Sequence, residues 1–256
     1  MKLLLTISLL FVLSGNLFSQ RSVAKADKAF AKKEFVNAID MYSEALEQSN
    51  NNLEKLEIQY KMAEAFRMIN RPVKAQEYYK ICFENGYDHP SLNLNYASVL
   101  MQNGDYDFAK ELLDIYHDLH PDDEWAKSLR KSCRFAMKYE EESNDLVIVN
   151  LEKINSPYSE FSISKVNDEI YFASSRFLDD TLSVFKYTGQ AYSDFYKTKY
   201  SPYTLEWESP NKVKGQVNTS YNDGTCVHDT ANNILYFMQC NGLVGKRQPC
   251  DISFST

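Results

Sequence analysis

The sequence predicts an α + β multidomain chain: an N-terminal α-solenoid followed by an antiparallel β-rich half. Three observations predict it. A stripe of small and aromatic residues at helical spacing recurs three times within residues 20–142. After Glu140-Glu141-Glu142 the apolar pattern changes to short aromatic and β-branched runs bounded by Asn, Asp and Ser. Near the end one phrase occurs twice: Asn155-Ser156-Pro157-Tyr158-Ser159-Glu160-Phe161 leads to Ile170-Tyr171-Phe172-Ala173, and Asn218-Thr219-Ser220-Tyr221-Asn222-Asp223-Gly224 leads to Ile234-Leu235-Tyr236-Phe237. Self-similarity at a fixed spacing signals units that stack because none can bury its apolar face alone.

Residues 1–19 are read as a secretory signal peptide. Lys2 supplies the positive start, Leu3 to Leu13 the apolar core, and Ser19 the small residue before cleavage. That core is shorter than the roughly 18 residues a membrane span requires, and no second run of its kind follows. The expected product is exported, with no membrane span. A net charge of -7 leaves no basic surface for nucleic acid.

The helical region is read as 20–142. Ala38, Tyr42 and Ala45 form one helical stripe, repeated by Ala75, Tyr79 and Cys82 and then by Ala109, Leu113 and Tyr116. A preceding stripe accompanies each: Ala26, Ala29 and Phe30, then Ala63 and Phe66, then Ala97 and Leu100. Pro72 begins a helix, Gly86 ends one, Asn103-Gly104-Asp105 marks a turn, and Asp122-Asp123-Glu124 opens a capping helix running to about Tyr139. Two helices per unit of about 34 residues, small where they cross, resembles the tetratricopeptide repeat. The resemblance implies a groove lined by the first helices that binds partner proteins. By repeat position it would hold Asp27, Phe30, Tyr60, Glu64, Arg67, Leu94, Met101 and Gln102. The family's basic clamp for C-terminal carboxylates is absent there.

The β-rich half is read as 147–256, beginning with a strand at Val147-Ile148-Val149. A turn with Asp or Asn, then Ile-Tyr-Phe, then Asp-x-Tyr resembles the TolB-type, WD40-like propeller repeat. The expected blades lie near 147–200 and 205–256. A propeller closes with about four to eight blades, so the expected architecture is an incomplete propeller, ended by truncation or completed by blades from another chain. Signal peptide, tetratricopeptide array and propeller together resemble a Bacteroidetes cell-envelope family of PorE-like proteins with OmpA-family architecture. That resemblance implies a periplasmic, outer-membrane-associated scaffold for envelope proteins, linked to type IX secretion. Peptidoglycan binding belongs to a further C-terminal domain of the family that this chain does not match. The alternative reading is a propeller that binds a small glycan or peptide for uptake or sensing.

Five cysteines in an exported chain cannot all pair internally. Cys82 and Cys133 read as small buried residues. Cys240 and Cys250 are the candidate disulfide, with Cys226 as a competing partner. No nucleophile elbow or phosphate loop is present. His117 and His120, near Asp114, lack a third ligand placed by sequence. The reading is therefore a non-catalytic binding protein with no cofactor and no metal.

Overall fold

The computed structural model describes residues 21–141, 147–177, 184–240 and 249–255. The expected signal peptide, 1–19, lies outside them. The chain divides near residue 146 into a helical unit and a sheet unit.

Seven helices are seen among the described residues: α1 (21–31), α2 (Phe35–Gln48), α3 (Asn52–Met68), α4 (Pro72–Glu84), α5 (Leu92–Gln102), α6 (Tyr106–Leu119) and α7 (Glu124–Glu141). The pairs α1–α2, α3–α4 and α5–α6 are copies of one motif. Ala26, Ala63 and Ala97 on the first helices, and Ala38, Ala75 and Ala109 on the second, are all fully buried. A bulkier side chain at any of them would force the packed helices apart. The turn inside each pair is also copied. Lys33, Asn70 and Gly104 take positive φ values of 62°, 56° and 85°. The next N–H then reaches back five residues: Glu34 to the Ala29 carbonyl at 3.0 Å, Arg71 to Phe66 at 2.9 Å, and Asp105 to Leu100 at 3.0 Å. This is the Schellman closure of a helix end, in which a left-handed residue lets the orphan carbonyls be satisfied. Gly86 ends α4 in the same way, with the Tyr87 N–H on the Cys82 carbonyl at 2.9 Å.

Helix starts are set by side chains. Asn51 accepts from the N–H groups of Leu53 and Glu54, Asp105 from Phe108, and Asp123 from Ala126. Pro72 stands at the start of α4, where a missing N–H costs nothing. Fold and repeat make this a tetratricopeptide-like array closed by α7.

The sheet unit holds two sheets and a short hairpin, β3 (Val184–Phe185) with β4 (Gln190–Ala191). The first sheet runs in the order β1 (Glu160–Val166), β2 (Glu169–Ser174), β5 (Asp194–Ser201), with β6 (Glu206–Trp207) and β7 (Asn211–Lys212) both paired to β5. The second is β8 (Asp223–Asp229), β9 (Ile234–Cys240) and β10 (Cys250–Ser255), antiparallel throughout.

The two sheets share one register. Glu160 opposes Ser174 and Asp223 opposes Gln239; Phe161 opposes Ala173 and Gly224 opposes Met238; each pair then meets a bulge. The bulge residues Ser162 and Thr225 have φ 57° and 54°, and their hydroxyls meet at 3.1 Å. The opening turns match as well. Glu160 accepts from the Ser156 hydroxyl and N–H, and Asp223 from the same groups of Thr219. Burial raises the Asp223 carboxyl above its ordinary value despite these donors. The repeated phrase thus encodes a hydroxyl–acid brace at the entrance to the first strand of each sheet.

The structure corrects the sequence reading at two places. Val147-Ile148-Val149 form no strand and are exposed, because β-branched residues make a strand only where a ladder partner is available. Residues 206–212 do not begin a second unit at 205; their strands pair with β5 and complete the first sheet.

Candidate protein-binding cleft

The eight residues assigned to the groove lie on α1, α3 and α5. Asp27 on α1 accepts from the Tyr42 hydroxyl at 2.6 Å and pairs with Lys61 on α3 at 3.1 Å. Glu64 on α3 accepts from Arg67 at 2.7 Å, from Asn95 on α5 at 2.8 Å and from the Tyr79 hydroxyl. Arg67 also donates to Tyr79 at 3.3 Å. Tyr60 is buried in a ring of Tyr79, Tyr87 and His89, the last at 4.1 Å between centroids. Phe30, Leu94 and Met101 are partly buried against the cores, and Gln102 is exposed at the end of α5. Most of the expected groove chemistry is therefore spent inside the array, joining one repeat to the next.

An open cleft remains beside this belt. It has a volume of about 590 Å³ and lies between α1 and the first two turns of α3, with Tyr87 at one side. Val23, Leu53 and Ile58 supply its apolar surface. Asp27, Glu54 and Glu57 bring three carboxylates and Lys61 a single ammonium. The sequence reading included Asp27 alone among these. The missed signal was Glu54, Glu57 and Lys61 at i, i+3 and i+7, which places all three on one face of α3.

The charges are held in place. Burial works against the charge of Lys61, but Glu57 at 2.9 Å and Asp27 outweigh it and raise its pKa. Glu54 accepts from the buried Ser49 hydroxyl at 2.6 Å. Each carboxylate keeps further lone pairs for an incoming donor. The arrangement is a preformed anionic slot with an apolar floor.

The remaining candidates fall elsewhere. Cys240 and Cys250 stand opposite each other in the β9–β10 register and are joined by a disulfide. Cys226 is a buried thiol facing Phe237, and burial pushes its pKa up to about 11. His120 closes α6 against the Tyr116 ring. Among the described residues no three His, Cys, Asp or Glu side chains come together to hold a metal, and no helix is long and apolar enough to cross a membrane.

No protein-family model matches the chain, and no curated protein matches it by sequence. Among solved structures it is similar to a chain of the Sec complex of S. cerevisiae, at 12% identity and a TM-score of 0.44, over 49% of this chain and 72% of that one. The C-terminal tetratricopeptide domain of a Plasmodium falciparum FK506-binding protein gives 17% and 0.44, over 49% and 91%. The Sgt2 tetratricopeptide domain of Aspergillus fumigatus gives 17% and 0.41, over 52% and 87%. The assignment of the helical repeat rests on the helix pairs themselves.

Proposed function

We propose that this protein is a non-catalytic interaction module whose helical array holds an extended segment of a partner protein carrying a Lys or Arg side chain. The cleft between α1 and α3 carries the reading. Its three carboxylates exceed its one ammonium, and its apolar floor suits the stem of a basic side chain. Oxyanion recognition, the task of a basic clamp, would find one cation here, Lys61, already paired with Asp27 and Glu57. Fluorescence polarisation with labelled decapeptides tests this: a Lys/Arg-containing set should bind, and its Glu-substituted counterparts should not. Equal binding of both sets would overturn it.

Two finer readings belong to the same proposal. The two matched sheets are the first blades of a propeller, as their shared register and hydroxyl–acid brace support. The protein works in the bacterial envelope as an exported scaffold near the outer membrane. The apolar run at Leu3 to Leu13 and the Cys240–Cys250 bridge support an oxidising compartment. Copurification with envelope proteins after crosslinking in intact cells tests the location.

A further inference from the structure

Helix α7 carries two apolar stripes, and the array uses one of them. Ala126, Leu129 and Cys133, at i, i+3 and i+7, are buried and join α7 to its neighbours. The second stripe faces solvent: Trp125, Phe135 and Tyr139 are 62%, 63% and 50% exposed. With Ser128 and Ser132 between them they stand at i, i+3, i+7, i+10 and i+14, one line about 21 Å long. The Phe135 and Tyr139 rings lie 4.4 Å apart and form one block. The Ser132 hydroxyl turns back onto the Ser128 carbonyl at 3.1 Å, leaving a shallow trough between that block and Trp125. Scattered single aromatics are ordinary on a surface, whereas three in line on one helix have the composition of an interface core.

A basic row flanks the stripe. Lys131, Arg134 and Lys138 stand at i, i+3 and i+7, and all three are exposed. Among the described residues Lys131 and Arg134 have no carboxylate within ion-pair range, whereas Lys127 is held by Glu124 at 2.7 Å and Arg130 by Asp114 at 2.5 Å. The chain as a whole has a net charge of -7, so this row is a local reversal of sign.

We propose that the outer face of α7 is a docking surface for an acidic amphipathic helix of a partner protein. The occupant lays apolar side chains at i, i+4 and i+7 along the Trp125–Phe135–Tyr139 stripe and aims a flanking row of Asp or Glu at Lys131 and Arg134. Charge selects this occupant over two others. A second copy of α7 brings the same basic row, and its Glu124 is already taken by Lys127. The chain's net charge opposes an anionic bilayer, and the stripe has no aliphatic side chain to sink into one. The surface is separate from the cleft between α1 and α3.

The test titrates a labelled helical peptide of about 18 residues, with Leu at i, i+4, i+7 and i+11 and Glu on both flanks, into the full chain by fluorescence polarisation. A counterpart carries Gln for every Glu. The Glu peptide should bind about tenfold more tightly than the Gln peptide, and Phe135→Ser and the double change Lys131→Glu, Arg134→Glu should each weaken it about tenfold. Asp27→Asn, in the cleft, should leave it unchanged. The substituted α7 side chains are exposed, so circular dichroism at 222 nm should match the wild type. No saturable binding of the Glu peptide, equal affinity for the two peptides, or equal affinity of the wild type and the Lys131→Glu, Arg134→Glu chain would overturn the proposal. So would a dimer of the unmodified chain, or its cosedimentation with phosphatidylglycerol vesicles, that Phe135→Ser abolishes, since these make a second copy or a bilayer the occupant.

Discussion

Tyr42 on α2 donates its hydroxyl to Asp27 on α1 at 2.6 Å, and thirty-seven positions on Tyr79 of α4 does the same to Glu64 of α3. Both rings are almost wholly buried, so each hydroxyl needs its acceptor. The third repeat changes both partners together: Leu113 replaces the tyrosine and Ser98 the acid. A buried hydroxyl without its acceptor is avoided by removing both. Burial, followed by the neighbouring carboxylate in each pair, raises the pKa of Tyr42 and Tyr79, keeping both protonated as donors.

Tyr42→Phe and Tyr79→Phe should each lower the stability of the helical unit by about 1 kcal/mol, the net worth of one hydrogen bond. Their sites have no shared partner, so the double variant should lose close to the sum. Urea unfolding followed by circular dichroism at 222 nm would check this; no loss in either variant would show that the acids hold no structural bond.

The copied turn makes opposite predictions at two of its positions. Lys33 bears a side chain at φ 62°, where Gly is free of strain, so Lys33→Gly should stabilise by about 0.5 kcal/mol. At Gly104 an added Cβ would meet nothing within 4 Å, so Gly104→Ala should cost about 1 kcal/mol from the backbone alone. Melting temperatures moving the same way in both variants would contradict the shared geometry.

Asp223 gives a pH signature. Its folded pKa is raised, chiefly by burial, above an ordinary value near 3.8. The folded state therefore holds the proton more tightly than the unfolded chain. This stabilisation is complete below pH 3.8 and is lost as the pH rises through the folded value. Relative to Asp223→Asn, the wild-type sheet unit should be more stable at pH 3.5 than at pH 7. A pH-independent difference between the two would rule out burial as the cause.

The bridge between β9 and β10 closes a separation of ten residues. Replacing both cysteines by Ser should cost the sheet unit about 2–3 kcal/mol through the freed unfolded chain. The helical transition should not move. Calorimetry with and without dithiothreitol on both chains would separate the two.

Much of this was legible in the sequence, and the exceptions share a cause. Ala26, Ala63 and Ala97 announced the helix crossings because size alone decides what fits there. Gly104 announced its turn, whereas Lys33 and Asn70 adopt the same backbone without a glycine to mark it. Residues 206–212 carry strand-forming types, but which sheet they join is a matter of tertiary pairing with β5. The bonding of the groove residues was hidden in a similar way. Repeat position located Glu64 and Arg67, yet only the folded structure shows them bonded to Tyr79 and Asn95, with the cleft carboxylates Glu54 and Glu57 two to three turns earlier on the same helix.

The cleft is the centre of the account, and its charge is what distinguishes it. The decisive measurement is a titration of a Lys/Arg decapeptide against wild type, Asp27→Asn, Glu57→Gln and, as a control at an exposed position of α6, Glu111→Gln, at low and high salt. The account predicts affinity reduced about three- to tenfold by Asp27→Asn and Glu57→Gln, a smaller salt dependence in both, and no change with Glu111→Gln. Affinities unchanged across all four chains would contradict it.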